Sequence, residues 1–220
     1  MNTDTENKAK SSLPLLIIVV AALSVAAGVV INQGYLSSSR DSQTPTRLEA
    51  TVLPKPRPIL GFELIDHHGK PFTAENLKGN WSFAFFGFTN CPDVCPTALK
   101  IMQGVWKKLP KDKTKPNMLF FSVDPDRDPP EVLKQYVTYY HPDFMGITGK
   151  LDQIDIITNQ LGILYGYNDK DNKSEDYNVN HSAQVLLIDP QGRMRAVFSP
   201  PYDAGSISHA LDVIRNFYEG

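Results

Sequence analysis

The sequence predicts an α/β domain, with helices on both faces of a sheet, preceded by a single membrane-spanning helix. Three observations support this prediction. An uncharged apolar run covers residues 13–31, a stretch rich in serine and proline follows to residue 58, and the remainder alternates apolar strands with amphipathic helices. The chain has 220 residues, which leaves about 160 for the folded part, a sufficient length for one hydrophobic core.

Composition excludes several classes of protein. The chain carries 22 Lys and Arg residues against 24 Asp and Glu residues, a formal net charge of −2. A nucleic-acid-binding surface would need a clear basic excess, so we expect no nucleic-acid partner. The chain contains two cysteines, Cys91 and Cys95, which are too few for a small disulfide-stabilised scaffold.

Residues 13–31 are predicted to form a transmembrane anchor. This run holds no charged residue, and as a helix it would span roughly 28 Å, close to the hydrocarbon thickness of a bilayer. Lys8 and Lys10 precede it, which favours a cytoplasmic tail over residues 1–12 and an exported body. A cleaved signal peptide is the alternative because small residues lie at 24–26, but the apolar run continues past that point.

Residues 32–58 are predicted to be a linker, because serine and proline replace the apolar period. The folded domain then covers 59–220, where apolar periodicity assigns the elements. The predicted strands are 62–66 and 70–72, paired as a hairpin, then 81–88, 118–123, 184–188 and 194–198. The predicted helices contain 99–109, 132–140, 151–161 and 206–217, and the polar stretch 169–179 is predicted to be an insertion.

Capping patterns indicate where three of the helices begin. Asp128 precedes two prolines and Glu131, which is typical of an N-cap followed by proline at the first helical position. Ser206 is predicted to cap the last helix. Pro96 suits the first position of the helix that follows the cysteines, so Cys95 is predicted to be its N-cap. Both sulfurs would then lie near the positive end of a helix dipole, which favours the thiolate form.

Cys91 and Cys95 join the first buried strand to the helix that follows it, where ligands of α/β sheets usually bind. A disulfide that closes so short a loop would add only about 2 kcal/mol of stability, which disfavours a purely structural bridge. Thiol redox chemistry and metal binding both remain open on the residues alone. Two thiolates with an imidazole would suit Cu(I), or zinc if a fourth donor is present.

A third metal ligand would have to come from the five histidines. His67 and His68 fall in a predicted exposed turn, His141 at a helix end, and His209 in the first turns of the last helix. His181 differs because it precedes the apolar strand 184–188 and follows the polar insertion. An ordinary strand-end histidine is the alternative to a ligand at this position.

Three separated motifs carry a resemblance to a known family. They are Cys91-Pro-Asp-Val-Cys95-Pro, Val-Asp-Pro-Asp-Arg-Asp at 123–128, and Tyr-Asn-Val-Asn-His-Ser at 177–182. In this order they resemble the Sco/SenC family of copper chaperones, over about residues 55–220. The resemblance implies a thioredoxin-like sheet with flanking helices and a hairpin insertion. It also implies that copper is bound and is delivered to the binuclear copper centre of cytochrome c oxidase.

Carried over by motif, Cys91, Cys95 and His181 are the implied copper ligands, and the two cysteines also form the implied redox-active disulfide. Asp124 matches the strand-end aspartate of the family and is expected to support the site without binding the metal. Ordinary strand-end turn chemistry is the alternative for this residue. Asn180 departs from the family pattern, in which an aspartate often precedes the histidine, and this change could alter the orientation of the imidazole.

The expected protein is therefore a metallochaperone and not an enzyme, anchored once in a bacterial inner membrane with its carboxy-terminal domain in the periplasm. Its expected partners are the copper-bearing subunit of cytochrome c oxidase and periplasmic copper or thiol donors. The main alternative is a thiol–disulfide oxidoreductase that reduces the cysteines of the copper acceptor. A thiol peroxidase is less favoured because the loop after Cys91 carries no arginine, the nearest being Arg127.

Overall fold

The computed structural model describes residues 49–110, 114–168 and 177–219. The strands are β1 Thr51–Pro58, β2 Glu63–Asp66, β3 Pro71–Thr73, β4 Ser82–Gly87, β5 Asn117–Ser122, β6 Phe144–Thr148, β7 Tyr165–Asn168, β8 Asn178–His181, β9 Val185–Ile188 and β10 Arg193–Phe198. The α-helices are α1 Val94–Lys108, α2 Pro130–Tyr140, α3 Leu151–Leu161 and α4 Ala204–Glu219, and a short 3₁₀ helix covers Ala74–Leu77.

Eight of these strands form one sheet in the order β1-β10-β9-β4-β5-β6-β2-β3, and β7 and β8 form a separate two-stranded sheet. The central strands β4, β5 and β6 are parallel, and the other pairings of the large sheet are antiparallel. Helix α1 connects β4 with β5, and α2 connects β5 with β6, as parallel neighbours require. This architecture confirms the expected thioredoxin-like α/β sheet with flanking helices.

Aromatic side chains of β4 and β5 form the centre of the core. All of β4 is buried, as are all residues of β5 after its first. Phe86 and Phe121 are register partners in this parallel pair, and their stacked rings have centroids 4.8 Å apart. Burial on both faces explains the continuous apolar runs that predicted these two strands. The packed centre fixes the carboxyl end of β4, where Gly87 leads into the cysteine loop.

Two strands of the large sheet differ from the expectation. Thr51–Pro58 lies within the predicted linker 32–58, yet it pairs with β10, with an irregular register between Val52 and Arg57. Its alternating prolines fit an edge strand, because one row of backbone groups there needs no partner. Strand β6 lies at Phe144–Thr148, where the sequence indicated no element, because five residues are too short to show a clear period.

Two of the predicted helix caps are wrong, Cys95 for α1 and Asp128 for α2. Asp93 is the N-cap of α1, so Cys95 lies inside the first turn, and the Thr97 N–H donates to the Asp93 carbonyl at 3.1 Å. The helix can begin at Val94, two residues before the predicted first position Pro96, because proline is tolerated throughout the first turn. Pro129 is the N-cap of α2, which leaves Asp128 outside the helix.

The cap predicted for the last helix is also wrong. Helix α4 begins at Ala204, and the carboxylate of Asp203 accepts the N–H groups of Gly205 and Ser206 at 2.6 and 3.1 Å. Hydrogen bonds from Ser206 lower the pKa of Asp203, which keeps the capping carboxylate charged. Ser206 therefore lies in the first turn and binds the capping residue.

The described residues contain no helix with the length and apolar character that a bilayer crossing requires. The predicted tail 1–12, the predicted anchor 13–31 and residues 32–48 of the predicted linker lie outside the described residues. Residues 169–176 of the predicted insertion also lie outside them. The expectations for these segments stay predictions.

Candidate metal centre

The loop between β4 and α1, together with the first turn of α1, brings Cys91 and Cys95 together. The Cys91 N–H donates to the Phe88 carbonyl at 3.3 Å, which turns the chain back towards the end of β4. The Cys95 N–H donates to the sulfur of Cys91 at 3.4 Å, and Cys95 is fully buried whereas Cys91 is 8% exposed. Gly87 makes room for this arrangement, because a Cβ atom at this position would collide with the sulfur of Cys95.

His181 reaches the same place from a distant part of the chain. It is the last residue of β8, and Tyr165 of β7 is its cross-strand partner. Its Nε2 atom lies 3.4 Å from the sulfur of Cys95, and the donor atoms of Cys91, Cys95 and His181 all lie within 4.8 Å of one another. Its Nδ1 atom lies 3.1 Å from the Ser182 carbonyl, so Nδ1 donates a proton there and the Nε2 lone pair faces the sulfurs.

Aromatic rings hold the imidazole in this orientation. The rings of Phe85 and Phe88 meet the ring of His181 nearly at right angles, with centroids 5.9 and 5.8 Å away. Edge-to-face packing of this kind is favourable and restricts rotation of the enclosed ring. The imidazole is therefore held at a nearly fixed angle to the sulfurs.

The two thiols share their protons unequally. The hydrogen bond from the Cys95 thiol is the largest cause that lowers the pKa of Cys91 to about 4, and the Cys95 N–H acts in the same direction. The pKa of Cys95 is raised, because its proton is held by the Cys91 thiolate and its burial disfavours a second negative charge. At neutral pH the pair therefore offers one ready thiolate, and a metal ion would displace the second proton.

The three donors fit a soft metal ion. Metal–sulfur bonds of about 2.3 Å and metal–nitrogen bonds of about 2.0 Å place the donors of a trigonal site roughly 3.7–4.0 Å apart. The observed donor separations reach at most 4.8 Å, so a contraction of about 1 Å suffices. Thiolate and imidazole ligands are those preferred by Cu(I) and zinc.

Comparison with known proteins identifies the family. A family model described as SCO1/SenC matches residues 54–216. The chain belongs to the SCO1/SenC family. An SCO2-like protein of Rickettsia felis is 37% identical over 178 residues, which cover 80% of this chain and 85% of the relative. The mitochondrial protein SCO2 of Saccharomyces cerevisiae is 40% identical over 146 residues, which cover 66% of this chain and 48% of the relative.

Solved structures of SCO1/SenC proteins have the same fold. The crystal structure of Arabidopsis thaliana ScoI with copper bound has a TM-score of 0.67 at 30% identity, covering 73% of this chain and 99% of that chain. The apo Sco1 protein of Thermus thermophilus has a TM-score of 0.68 at 30% identity, covering 79% of this chain and 99% of that chain. The range matched by the family model, residues 54–216, includes Cys91, Cys95 and His181 of the candidate metal centre.

In this SCO1/SenC chain, Asp124 lies outside the group of three donors. It follows β5 and is fully buried, and its carboxylate accepts hydrogen bonds from the Arg127 Nε–H at 2.6 Å and the Tyr177 hydroxyl at 2.5 Å. Tyr177 directly precedes β8, the strand that ends at His181. The predicted supporting role of Asp124 thus has a physical route through the β7-β8 hairpin, and it stays a prediction.

The remaining histidines lie elsewhere in the SCO1/SenC fold. His67 was expected to be exposed, but its side chain is buried, with 6% exposure. Its Nδ1 atom accepts a hydrogen bond from the Gly146 N–H, and its Nε2 atom lies 3.0 Å from Nε2 of His68. A neutral imidazole whose Nδ1 accepts a hydrogen bond carries its own proton on Nε2, so the Nε2–H of His67 donates to Nε2 of His68. His141 is the C-cap of α2, as predicted, and His209 is exposed.

The sequence reasoning assigned only a capping role to Asp128, which contacts the cysteine loop. Its fully buried carboxylate accepts the Ser122 hydroxyl at 2.6 Å, the Thr89 hydroxyl at 2.5 Å and the Thr89 N–H at 3.1 Å. Thr89 lies two residues before Cys91, so Asp128 ties the cysteine loop to the end of β5. Burial raises the pKa of Asp128. The aspartate-proline-proline pattern concealed this role because it is also typical of a helix start.

Proposed function

We propose that this SCO1/SenC protein is a membrane-anchored copper chaperone that holds copper through Cys91, Cys95 and His181. The proposal rests on one observation, the convergence of these three donor atoms within 4.8 Å. The copper-bound state of the related Arabidopsis thaliana protein supports copper as the metal. Its proposed destination is the binuclear copper centre of cytochrome c oxidase, in the copper-bearing subunit.

The ligand set suits transfer as well as binding. Cys91, the sulfur closer to solvent, is the first ligand that an incoming thiolate of the acceptor would replace, because Cys95 is fully buried. Soft thiolate ligands exchange through steps in which one bond to Cu(I) forms as another breaks. The Cys91 thiolate, with its pKa lowered to about 4, is also available to receive copper at neutral pH.

The proposed topology has a cytoplasmic tail at 1–12, a single anchor at 13–31 in a bacterial inner membrane and a linker that leads to the periplasmic domain. Strand β1 begins at Thr51, so the folded domain begins before the predicted boundary at residue 59. Periplasmic copper or thiol donors are the proposed upstream partners. Carbonate extraction of membranes tests the anchor, because a spanning helix keeps the protein in the pellet and a cleaved signal peptide releases it.

Copper titration of the full chain, reduced and solubilised in detergent, tests the function. We expect one Cu(I) per chain in competition with a chromophoric chelator, and a large loss of affinity in His181→Ala. His209→Ala is the matched control, because His209 is exposed on α4. Unchanged affinity in His181→Ala would exclude His181 as a ligand and with it the proposed three-donor centre.

The second candidate function is reduction of the acceptor's cysteines. It is favoured by the close pair of thiols, with the Cys95 N–H donated to the Cys91 sulfur at 3.4 Å and the pKa of Cys91 lowered to about 4. Such a thiolate attacks disulfides, and the second thiol resolves the mixed disulfide. Reductase activity that survives His181→Ala but is lost in Cys95→Ser would support this candidate over copper delivery.

A further inference from the structure

The proposed copper ligands come from separate parts of the fold. Cys91 lies in the loop that follows β4 of the eight-stranded sheet and Cys95 in the first turn of α1, whereas His181 ends the two-stranded sheet β7-β8. Among the strands that the structure describes, no ladder pairing joins the two sheets. Apart from the short connection 182–184 that leads from His181 into β9, side-chain contacts therefore set the distance from the imidazole to the sulfurs.

Tyr177 makes one of these contacts. Its hydroxyl donates to a carboxylate oxygen of Asp124 at 2.5 Å, and Asp124 is fully buried just after β5. Hydrogen bonds to an ionised acceptor are among the stronger ones in proteins. Tyr177 immediately precedes Asn178, the first residue of β8, so this contact fixes the start of the short strand that ends at His181.

Arg127 donates hydrogen bonds to both Asp124 and Tyr177. Its Nε–H donates to the other oxygen of Asp124 at 2.6 Å, and Nη1 donates to the Tyr177 carbonyl at 3.0 Å. The guanidinium carbon lies 3.7 Å from the centroid of the Tyr177 ring and 5.8 Å from that of Phe88, a ring that also contacts His181. Arg127 thus contacts both the backbone and the ring of Tyr177.

Strand β7, the other strand of the hairpin, also contacts the segment 123–127 that follows β5. The Tyr167 hydroxyl, on β7, donates to the Val123 carbonyl at 2.6 Å. Val179 of β8, between Tyr177 and His181, is 3% exposed. Both strands are therefore held against residues 123–127.

We propose that Asp124, Arg127 and Tyr177 form a clasp that holds the β7-β8 hairpin in the position where His181 reaches the metal. Arg127 and Tyr177 are positioning residues, and neither belongs to the group of three donors. The inference rests on the proposed copper function and identifies the residues that decide whether the third ligand is in place. Loosening the clasp lowers the fraction of molecules with all three donors assembled, and it weakens copper binding by that fraction.

The test compares Tyr177→Phe with the unchanged chain, full length, reduced and in detergent, by Cu(I) competition with a chromophoric chelator. We expect Cu(I) affinity to fall about tenfold, the lower end of the range for residues that orient a metal ligand. Tyr139→Phe is the matched control, since it also removes a tyrosine hydroxyl, but from a side chain on α2 that is 83% exposed. We expect no change in the Cu(I) affinity of this control. Arg127→Lys is a second variant, which keeps the charge beside Asp124 but loses the planar contact with Tyr177.

A double-mutant cycle separates positioning from general loosening of the structure. If Tyr177 acts through His181, adding Tyr177→Phe to His181→Ala produces no further loss of Cu(I) affinity. An equal loss in both backgrounds, or no loss in Tyr177→Phe and Arg127→Lys, overturns the clasp. If the unchanged chain shows no His181-dependent copper binding, the proposed function itself fails, and the two failures are thereby distinguished.

Discussion

The Nε2 atom of His181 lies 3.4 Å from the sulfur of Cys95, although 86 residues separate the two in the chain. Cys91 and Cys95 are four residues apart, so local backbone geometry suffices to bring their sulfurs together. The imidazole depends on the tertiary fold, since its hairpin must be held against the end of β5. The candidate centre therefore combines one locally assembled pair of donors with a third donor that long-range packing brings to it.

The unequal thiols predict a titration at acidic pH. We expect the reduced protein to keep Cys91 as a thiolate at neutral pH and to lose the ultraviolet absorbance of the thiolate on acidification, with a midpoint near the pKa of about 4. Cys91→Ser should abolish this step. A midpoint in the ordinary thiol range would show that the Cys95 thiol does not hold its proton towards Cys91.

The same shift predicts how stability depends on pH. Because the pKa of Cys91 in the folded state lies below its value of about 8.5 in the unfolded chain, unfolding takes up a proton between these limits. The free energy of unfolding of the reduced protein should rise with pH across this range, and the contribution is lost as pH falls towards 4. Above about pH 8.5 the raised pKa of Cys95 reverses the slope. Denaturant unfolding of the protein and Cys91→Ser at several pH values measures the difference.

Gly87→Ala should disable the metal centre while leaving the rest of the sheet in place. The added methyl group meets the sulfur of Cys95 and lies 3.1 Å from the ring of Phe85 and 3.3 Å from that of Phe120, so the sulfur must move. Displacing a ligand should weaken copper binding by about tenfold or more. Gly166→Ala on β7 is the control, because an added Cβ atom there meets nothing within 4 Å. Equal copper affinity in the two variants would contradict the prediction.

Asp128→Ala should destabilise the domain. Removing the carboxylate leaves the hydroxyls of Ser122 and Thr89 and the Thr89 N–H without their acceptor, at a cost of about 1–3 kcal/mol in the free energy of unfolding. Glu75→Ala is the control, since it removes an exposed ion pair with Lys78 and should change the free energy of unfolding by less than about 1 kcal/mol. Urea unfolding checks both values, and similar results for the two variants would refute the structural role of Asp128.

His67 should resist protonation. Burial, and next to it the neighbouring His68, lower the pKa of His67 below 6.5, and Gly146 fixes the proton on Nε2. Since the unfolded chain takes up this proton at a higher pH than the native state, His67 should reduce the free energy of unfolding as pH falls below about 6.5. Nitrogen-detected NMR titration reads both the tautomer and the midpoint, and a proton found on Nδ1 at neutral pH would contradict the assignment.

The apolar pattern of the sequence predicted the strands that are buried on both faces. Strands β4 and β5 are buried on both faces, so they appear as continuous apolar runs in the sequence. Strand β1 was not predicted because its prolines are typical of a linker. They are compatible with a strand because β1 lies at the edge of the sheet. The apolar pattern thus predicted the doubly buried strands β4 and β5, but it missed the proline-containing edge strand β1 and the short interior strand β6.

The candidate site was predictable only in part. The position of Cys91 and Cys95 between a strand and a helix indicated ligand chemistry. The position of His181 before an apolar strand distinguished it from the other histidines, but only the family resemblance implied that it is a ligand. Asp128 was assigned to a helix cap because its true partner Thr89 lies 39 residues earlier in the chain. Interactions across such distances depend on how strands are ordered in the sheet, which residue spacing does not encode.

The separate two-stranded sheet that carries His181 makes the centre modular. Substitutions in β7 and β8 can replace the third donor, and so retune metal preference, without altering the thiol pair or the large sheet beneath it. Metal selectivity and thiol–disulfide chemistry can therefore diverge separately in descendants of this chain, and an engineer could graft a different hairpin onto the same body.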